Sequence, residues 1–142
     1  MSKIINLTQH VATVGQQAGG VVEPALKERV QDLLTFKALP SRADIEARAV
    51  ALASLASLAK LASAEAALIG GAPYLMGDLE RALRAAGVMA LYSYTERQSV
   101  EELSADGQTV VKRQIFEHAG FIPAWEEEAT PAPAPQYGWD SV

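Results

Sequence analysis

"AALIGGAPYLMGDLERALRAAGVMALYSYTERQSV", residues Ala66–Val100, is the stretch whose reading decides the fold. It opens with a short apolar run closed by Gly70 and Gly71. An amphipathic segment follows, with Pro73 in its first turn and Gly87 at its stop, and a second apolar run, "VMALY", comes next. Glycines after an apolar run, proline at a helix start and glycine at a helix end are the punctuation of a strand–helix–strand unit. Two strands joined through a helix lie side by side and parallel, because the helix carries the chain back along a face of the sheet.

The same grammar extends toward the N-terminus. "KIINL" (Lys3 to Leu7) reads as a first strand with "TQH" as its polar exit. Gly15, Gly19 and Gly20 weaken any helix in the segment after it, whereas "PALKERVQDLL" has Pro24 at a helix start and apolar Leu26, Val30, Leu33 and Leu34. "LLTF" (Leu33 to Phe36) is expected as a short second strand. Ser41, with Asp44 three residues on, caps a long helix from Arg42 to about Leu61. That helix has more than one apolar face, with Leu55, Leu58 and Leu61 partly off the stripe made by Ile45, Ala49, Leu52, Ala56 and Ala59. A second subunit is the simplest cover for it.

Downstream, "SADG" reads as a turn and "QTVVKRQIFEHAGFIP" as a strand returning antiparallel. The sum is an α/β, Rossmann-like three-layer sandwich over residues 1–123, its sheet mostly parallel with a C-terminal antiparallel hairpin. Residues 124–142 are acidic and rich in proline and alanine, which reads as a flexible, solvated tail carrying Tyr137 and Trp139 near its end.

Totals narrow the function. A chain of 142 residues, 49% hydrophobic, suits one domain. With 12 Lys+Arg against 17 Asp+Glu the net charge of -5 repels duplex nucleic acid, while leaving room for a small anion in a locally basic pocket. The run from Ala49 to Gly70 is alanine-rich and carries Lys60 and Glu65, so no membrane span is expected. The lack of cysteine excludes disulfides and thiolate metal sites; with no charged-then-apolar leader, the expected compartment is the cytoplasm.

In a parallel sheet, ligands bind beyond the carboxyl ends of the strands. Three such ends carry polar or open backbone here: Thr8, Gln9 and His10; Gly70 and Gly71; and Ser93, Tyr94, Thr95, Glu96 and Arg97. The glycine pair leaves backbone N–H groups open to a phosphate, and equally serves a tight turn that merely needs glycine. "GGAP" matches neither the P-loop nor the dinucleotide fingerprint. His10, just past a strand, has the chemistry of a proton carrier near neutral pH; a loop histidine without a task is the alternative. His118, on the last strand with Val110, Lys112, Gln114 and Phe116, is expected to be structural or on the surface. Two histidines without a carboxylate cluster make a poor metal site, so neither metal nor cofactor is expected. Alternation places Leu91, Ser93, Thr95 and Arg97 on one side and Tyr92, Tyr94 and Glu96 on the other. Hydroxyls beside a guanidinium suit a phosphodiester, and they also suit ordinary cross-strand pairing.

Taken together, "TQH", the glycine-pair helix unit and the closing "DGQTVVKRQIFEHAGFI" resemble the small CARF-like ring nucleases of type III CRISPR systems and of some phages. The resemblance rests on Tyr92, Ser93, Thr95 and Arg97, followed by Phe116, His118 and Phe121. It implies a homodimer that binds cyclic oligoadenylate across a two-fold interface and linearises it without a metal, ending a defence signal or serving viral counter-defence. The "NLTQH" start departs from the family pattern. Under that resemblance His10, Thr95 and Arg97 are the candidate catalytic residues, and Thr8, Gln9, Gly70, Gly71, Ser93 and Tyr94 bind ligand. A messenger-sequestering module of the same fold, and a protein-interaction module with no nucleotide site, remain as alternatives.

Overall fold

β1 (Lys3–Leu7) runs through the middle of the sheet, and three of its four buried residues are apolar. In the computed structural model, which describes residues 3–126, it is followed by α1 (Val14–Ala18), β2 (Val21–Val22), α2 (Lys27–Leu34), α3 (Arg42–Ala59), β3 (Ala64–Ile69), α4 (Pro73–Ala85), β4 (Met89–Leu103) and β5 (Val110–Pro123). The sheet order is β2-β1-β3-β4-β5. β1 pairs in parallel with β2 and with β3, β3 pairs in parallel with β4, and β4 pairs antiparallel with β5. The architecture is α/β and Rossmann-like, with a mostly parallel sheet and an antiparallel pair at its C-terminal edge.

The second strand is Val21–Val22, not Leu33–Phe36. Leu33 and Leu34 are the last turn of α2, where they join Val30 as its buried face. An apolar pair at a helix end looks like a strand start in sequence; the core it reaches decides otherwise. Val21 and Val22 adopt extended backbone because Ile4 and Ile5 pair with them.

α3 begins where expected. The Ser41 hydroxyl accepts the Asp44 N–H at 3.0 Å, and the helix runs to Ala59, with a 3₁₀ turn over Lys60–Ala62 carrying it on. Ile45, Ala49, Leu52, Ala53 and Ala56 are buried against the sheet, whereas Leu58 is 63% and Leu61 88% exposed. On this side the main core joins β1, β3 and the start of β4 to α2, α3 and α4. Arg42 at the start of α3 pairs with Asp78 of α4 at 2.5 Å, tying the two helices together.

The opposite face is covered thinly. Ile4, Ala12, Val21 and Leu68 make a small cluster with Phe121, and α1, only five residues long, spans between β2 and β5. α1 approaches β5 closely because it presents glycine. A side chain at Gly19 would stand 2.9 Å from the Phe121 ring, and one at Gly15 would stand 3.3 Å from the His118 Cβ. The glycines that weaken this helix in sequence are what let it dock.

β4 outruns its parallel neighbour. Its last partner on β3 is at Leu91, and from Ser93 to Leu103 it pairs only with β5, as a two-stranded ribbon. At the other end of β5 the chain stays on the domain past Pro123. The Ala124 N–H donates to the Ala90 carbonyl, and Trp125 packs on the core with the Arg84 guanidinium 5.3 Å from its ring centre. The remainder of the expected tail, with Tyr137 and Trp139, lies outside the described residues.

Candidate active site

After Leu7 the chain leaves the sheet as "TQHVAT", and a single buried polar residue fixes its course. Asn6 is fully buried. Its amide nitrogen donates to the His10 carbonyl at 2.8 Å and to both Glu23 carboxylate oxygens at 3.0 Å; its Oδ1 accepts the Thr8 N–H at 3.0 Å and the Thr8 hydroxyl at 2.7 Å. Glu23 also accepts the Ala12 N–H at 2.9 Å and pairs with Lys27 at 3.1 Å, while Lys27 donates to the Thr8 and His10 carbonyls. Burial pushes the Glu23 carboxyl up, but the Asn6, Ala12 and Lys27 hydrogen bonds and the Lys27 charge outweigh it and hold the group below its ordinary value. The post-β1 loop is thus pinned from inside, which leaves side chains on its outer edge facing solvent.

Above that loop lies a cleft of about 510 Å³. It sits beyond the carboxyl ends of β1, β3 and β4, across the switch point where the chain order reverses between β1 and β3. Thr8, Gln9, His10, Gly70, Gly71 and Ser93 all line it, so three separated segments of sequence do meet there. His10 is exposed, and its ring takes no hydrogen bond among the described residues; its carbonyl, not its imidazole, is the anchored part. Gln9 turns its amide to the end of α2, donating to Thr35 Oγ1 at 3.2 Å and to the Leu34 carbonyl at 3.3 Å. Gly70 lies beside Thr8, while Gly71 holds φ at 146°, a conformation that favours glycine. No side chain caps α4, which starts at the next turn.

Ser93 is the polar centre of the β4 side. Its Oγ is 2.8 Å from His118 Nδ1 and accepts the Gln16 amide at 3.3 Å. Gln16 is held in turn by a capping box with Thr13: its Oε1 accepts the Thr13 N–H at 2.9 Å, and the Thr13 hydroxyl accepts the Gln16 N–H at 3.1 Å. The sequence signal for this is T-x-x-Q at Thr13–Gln16, which the neighbouring glycines mask. Thr13, Gln16 and Val11 line the cleft and were not singled out in sequence. His118, expected to be structural or on the surface, is half-buried and bonded to a cleft residue.

The register explains the spacing of the last strand. Ser93 faces Phe121, Thr95 faces His118 and Arg97 faces Phe116, so the two polar-aromatic stretches pair with each other on one face of the ribbon. Between His118 and Phe121 the ladder slips, at Tyr94/Thr95, leaving Ala119 as the extra residue of a bulge. Strict alternation over the three steps from His118 to Phe121 would put the two on opposite faces; the bulge takes up one step, and their rings meet at 4.5 Å.

Thr95, Arg97 and Tyr94 do not line the cleft of a single chain. Thr95 and Arg97 stay on the Ser93 face but lie out on the ribbon, where the Arg97 guanidinium stands 5.4 Å from the Phe116 ring centre. Tyr94 is on the other face and is exposed. Tyr92, beside Ser93, donates to Glu80 at 2.5 Å; its burial, with that hydrogen bond and charge, pushes the phenol well above its ordinary range.

A mostly parallel sheet, with a cleft over its switch point that sets polar side chains among apolar ones, defines a Rossmann-like α/β domain with a candidate small-ligand site. The chain belongs to the MJ1673 family: the family model described as "Uncharacterized protein MJ1673 family" matches residues 2–122. No curated protein and no solved structure matches the chain. Among the described residues no helix is long and apolar enough to cross a membrane.

Proposed function

We propose that this protein is a ring nuclease that binds cyclic oligoadenylate and linearises it by attack of a ribose 2′-hydroxyl on the adjacent phosphorus. The observation that carries the reading is the convergence of Thr8, Gln9, His10, Gly70, Gly71 and Ser93 on one cleft. At about 510 Å³ it falls within the ordinary span for small-ligand sites, roughly 300–1,000 Å³. An RNA ring brings its own nucleophile, so a protein need only align that oxygen with the phosphorus, stabilise the developing charge and move protons. In this reading open backbone at Gly70 and Gly71 faces the phosphate, Thr8 and Ser93 face ribose, and the free His10 imidazole exchanges the proton.

The ring is shared between two copies of the chain. Exposed Leu58 near the end of α3 and Leu61 in the 3₁₀ turn after it offer apolar surface for a homodimer. A two-fold dimer doubles each contact to a ring of matching symmetry. Arg97 sits four residues beyond Ser93 on the ribbon, roughly 13 Å at the strand rise, and it serves phosphates outside the chain's own cleft. Such a protein acts in the cytoplasm, where the messenger is made, as a brake on type III CRISPR signalling or as viral counter-defence.

The test is incubation of purified protein with cyclic oligoadenylates of several ring sizes in EDTA, with products resolved by chromatography. Linear products ending in 2′,3′-cyclic phosphate are expected, and His10→Ala is expected to abolish cutting while sparing binding. Intact ring recovered only on denaturing the protein would make it a messenger-sequestering module instead. Failure to bind any ring would overturn the proposal and favour a protein-interaction module.

A further inference from the structure

The geometry points to Ser93 and His118 as a proton relay in this cleft, with Ser93 taking the proton from the attacking 2′-hydroxyl and His118 receiving it from behind. The inference rests on the ring-nuclease reading and deepens it. Ser93 lines the cleft; His118 does not, but its Nδ1 lies 2.8 Å from Ser93 Oγ. The direction of that hydrogen bond follows from Gln16. Because the Gln16 Oε1 accepts the Thr13 N–H, its amide nitrogen is the end that faces Ser93 and donates to it. The serine hydroxyl, already an acceptor there, has its own proton free to donate, and His118 Nδ1 is the acceptor within reach. This leaves Nδ1 without a proton and the second lone pair of Oγ open toward the cleft, as an acceptor for a ligand hydroxyl.

Three contacts hold the imidazole at this angle. Its Cβ sits over Gly15, its ring lies against Phe121, and the Ala119 bulge sets its strand position opposite Thr95. α1 brings no charged side chain to it, and the nearest charged group on its face of the hairpin is Arg97, one pair further out. A base oriented by packing and hydrogen-bonded to a hydroxyl in a cleft is the arrangement that activates an oxygen.

In the step, the O2′–H bond breaks as its proton passes to Ser93 Oγ and the proton of Ser93 passes to His118 Nδ1. O2′ bonds to phosphorus, the P–O5′ bond breaks, and O5′ leaves with a proton from protonated His10. The products are a 2′,3′-cyclic phosphate and a 5′-hydroxyl, with His118 now charged and His10 neutral. Ser93 and His10 are the catalytic residues. His118 acts through Ser93 as a positioning residue and proton sink.

The experiment measures single-turnover ring cleavage over pH about 5 to 8 for wild type, Ser93→Ala, Ser93→Thr, His118→Asn and the Ser93→Ala/His118→Asn double variant, with ring affinity and circular dichroism in parallel. His118→Asn keeps an acceptor near the Nδ1 position but cannot carry the proton. Ser93→Ala and His118→Asn are each expected to slow cleavage by about 10²–10⁴-fold, with ring affinity nearly unchanged in His118→Asn. The double variant is expected to be no slower than either single change, since residues that act as a unit are not additive. His118→Asn is also expected to erase the acid-side limb of the pH–rate profile, and Ser93→Thr to recover part of the rate. Wild-type rate and profile in a folded Ser93→Ala or His118→Asn, while rings are cut, would overturn the relay alone. Rings left intact by the wild type would overturn the relay and the ring-nuclease reading together.

Discussion

Asn6→Ala is the sharpest probe of how the cleft is built. The substitution removes two donor arms and two acceptor contacts from a fully buried position. The bond to the Glu23 carboxylate is charge-assisted, worth about 1.5–3 kcal/mol, and an unpaired Thr8 N–H adds a desolvation cost of about 1–3 kcal/mol. Lys27 and Ala12 still hold Glu23, and the half-buried Thr8 can recruit water, which offsets part of the loss. A net destabilisation of about 3 kcal/mol is expected, a large share of the roughly 5–15 kcal/mol typical of a folded domain. Urea unfolding followed by circular dichroism reads it as a midpoint lowered by about 1–3 M, taking a slope of 1–3 kcal/mol per molar. Asn6→Asp provides the control, because it sets a second carboxylate about where the amide met Glu23. It is expected to be worse than Ala at neutral pH and to recover on mild acidification, as one carboxyl takes up a proton and becomes a donor. A loss below about 1 kcal/mol for Asn6→Ala, or an Asn6→Asp variant indifferent to pH, would refute the claim that this side chain pins the loop bearing Thr8, Gln9 and His10.

Two further outcomes follow from the same geometry. Gly19→Ala drives a methyl to 2.9 Å from the Phe121 ring and is expected to cost about 1–3 kcal/mol by overpacking, measured as a fall in unfolding midpoint; a Phe121→Leu background should relieve it. Glu23, whose folded carboxyl lies below its ordinary value of 4.5, contributes stability that is complete above that value and is lost as pH falls through the lower folded one. Thermal unfolding against pH should therefore steepen below about 4.5 in wild type and flatten in Glu23→Gln; identical slopes would contradict the network.

The β3–α4–β4 unit was legible because its boundaries are local: Gly70, Gly71, Pro73 and Gly87 act wherever they occur. β2 was not, since two valines become a strand only through Ile4 and Ile5 beside them. Leu33 and Leu34 misled for the converse reason, being a helix end whose state is set by the core. The strand ends could be located from sequence, and six of the residues expected there share a cleft. Alternation also placed Thr95 and Arg97 on the Ser93 face correctly, but it could not show that β4 leaves β3 at Leu91 and carries them away. The Ser93–His118 contact was beyond reach, as it joins residues 25 apart across a slipped ladder and depends on a helix that glycine composition argues against.

The extra residue at Ala119 takes up one odd step between the tip of the ribbon and its base, so that both keep the same face. Matched additions or losses at the far turn would change how far the arm extends without disturbing which side chains face α1. Removing Ala119 would leave the imidazole and the phenyl ring two steps apart, still on one face of a regular ladder, and would take away the added local twist that a bulge gives the ribbon. Length variation in this hairpin is therefore felt as reach at one end and as direction at the other.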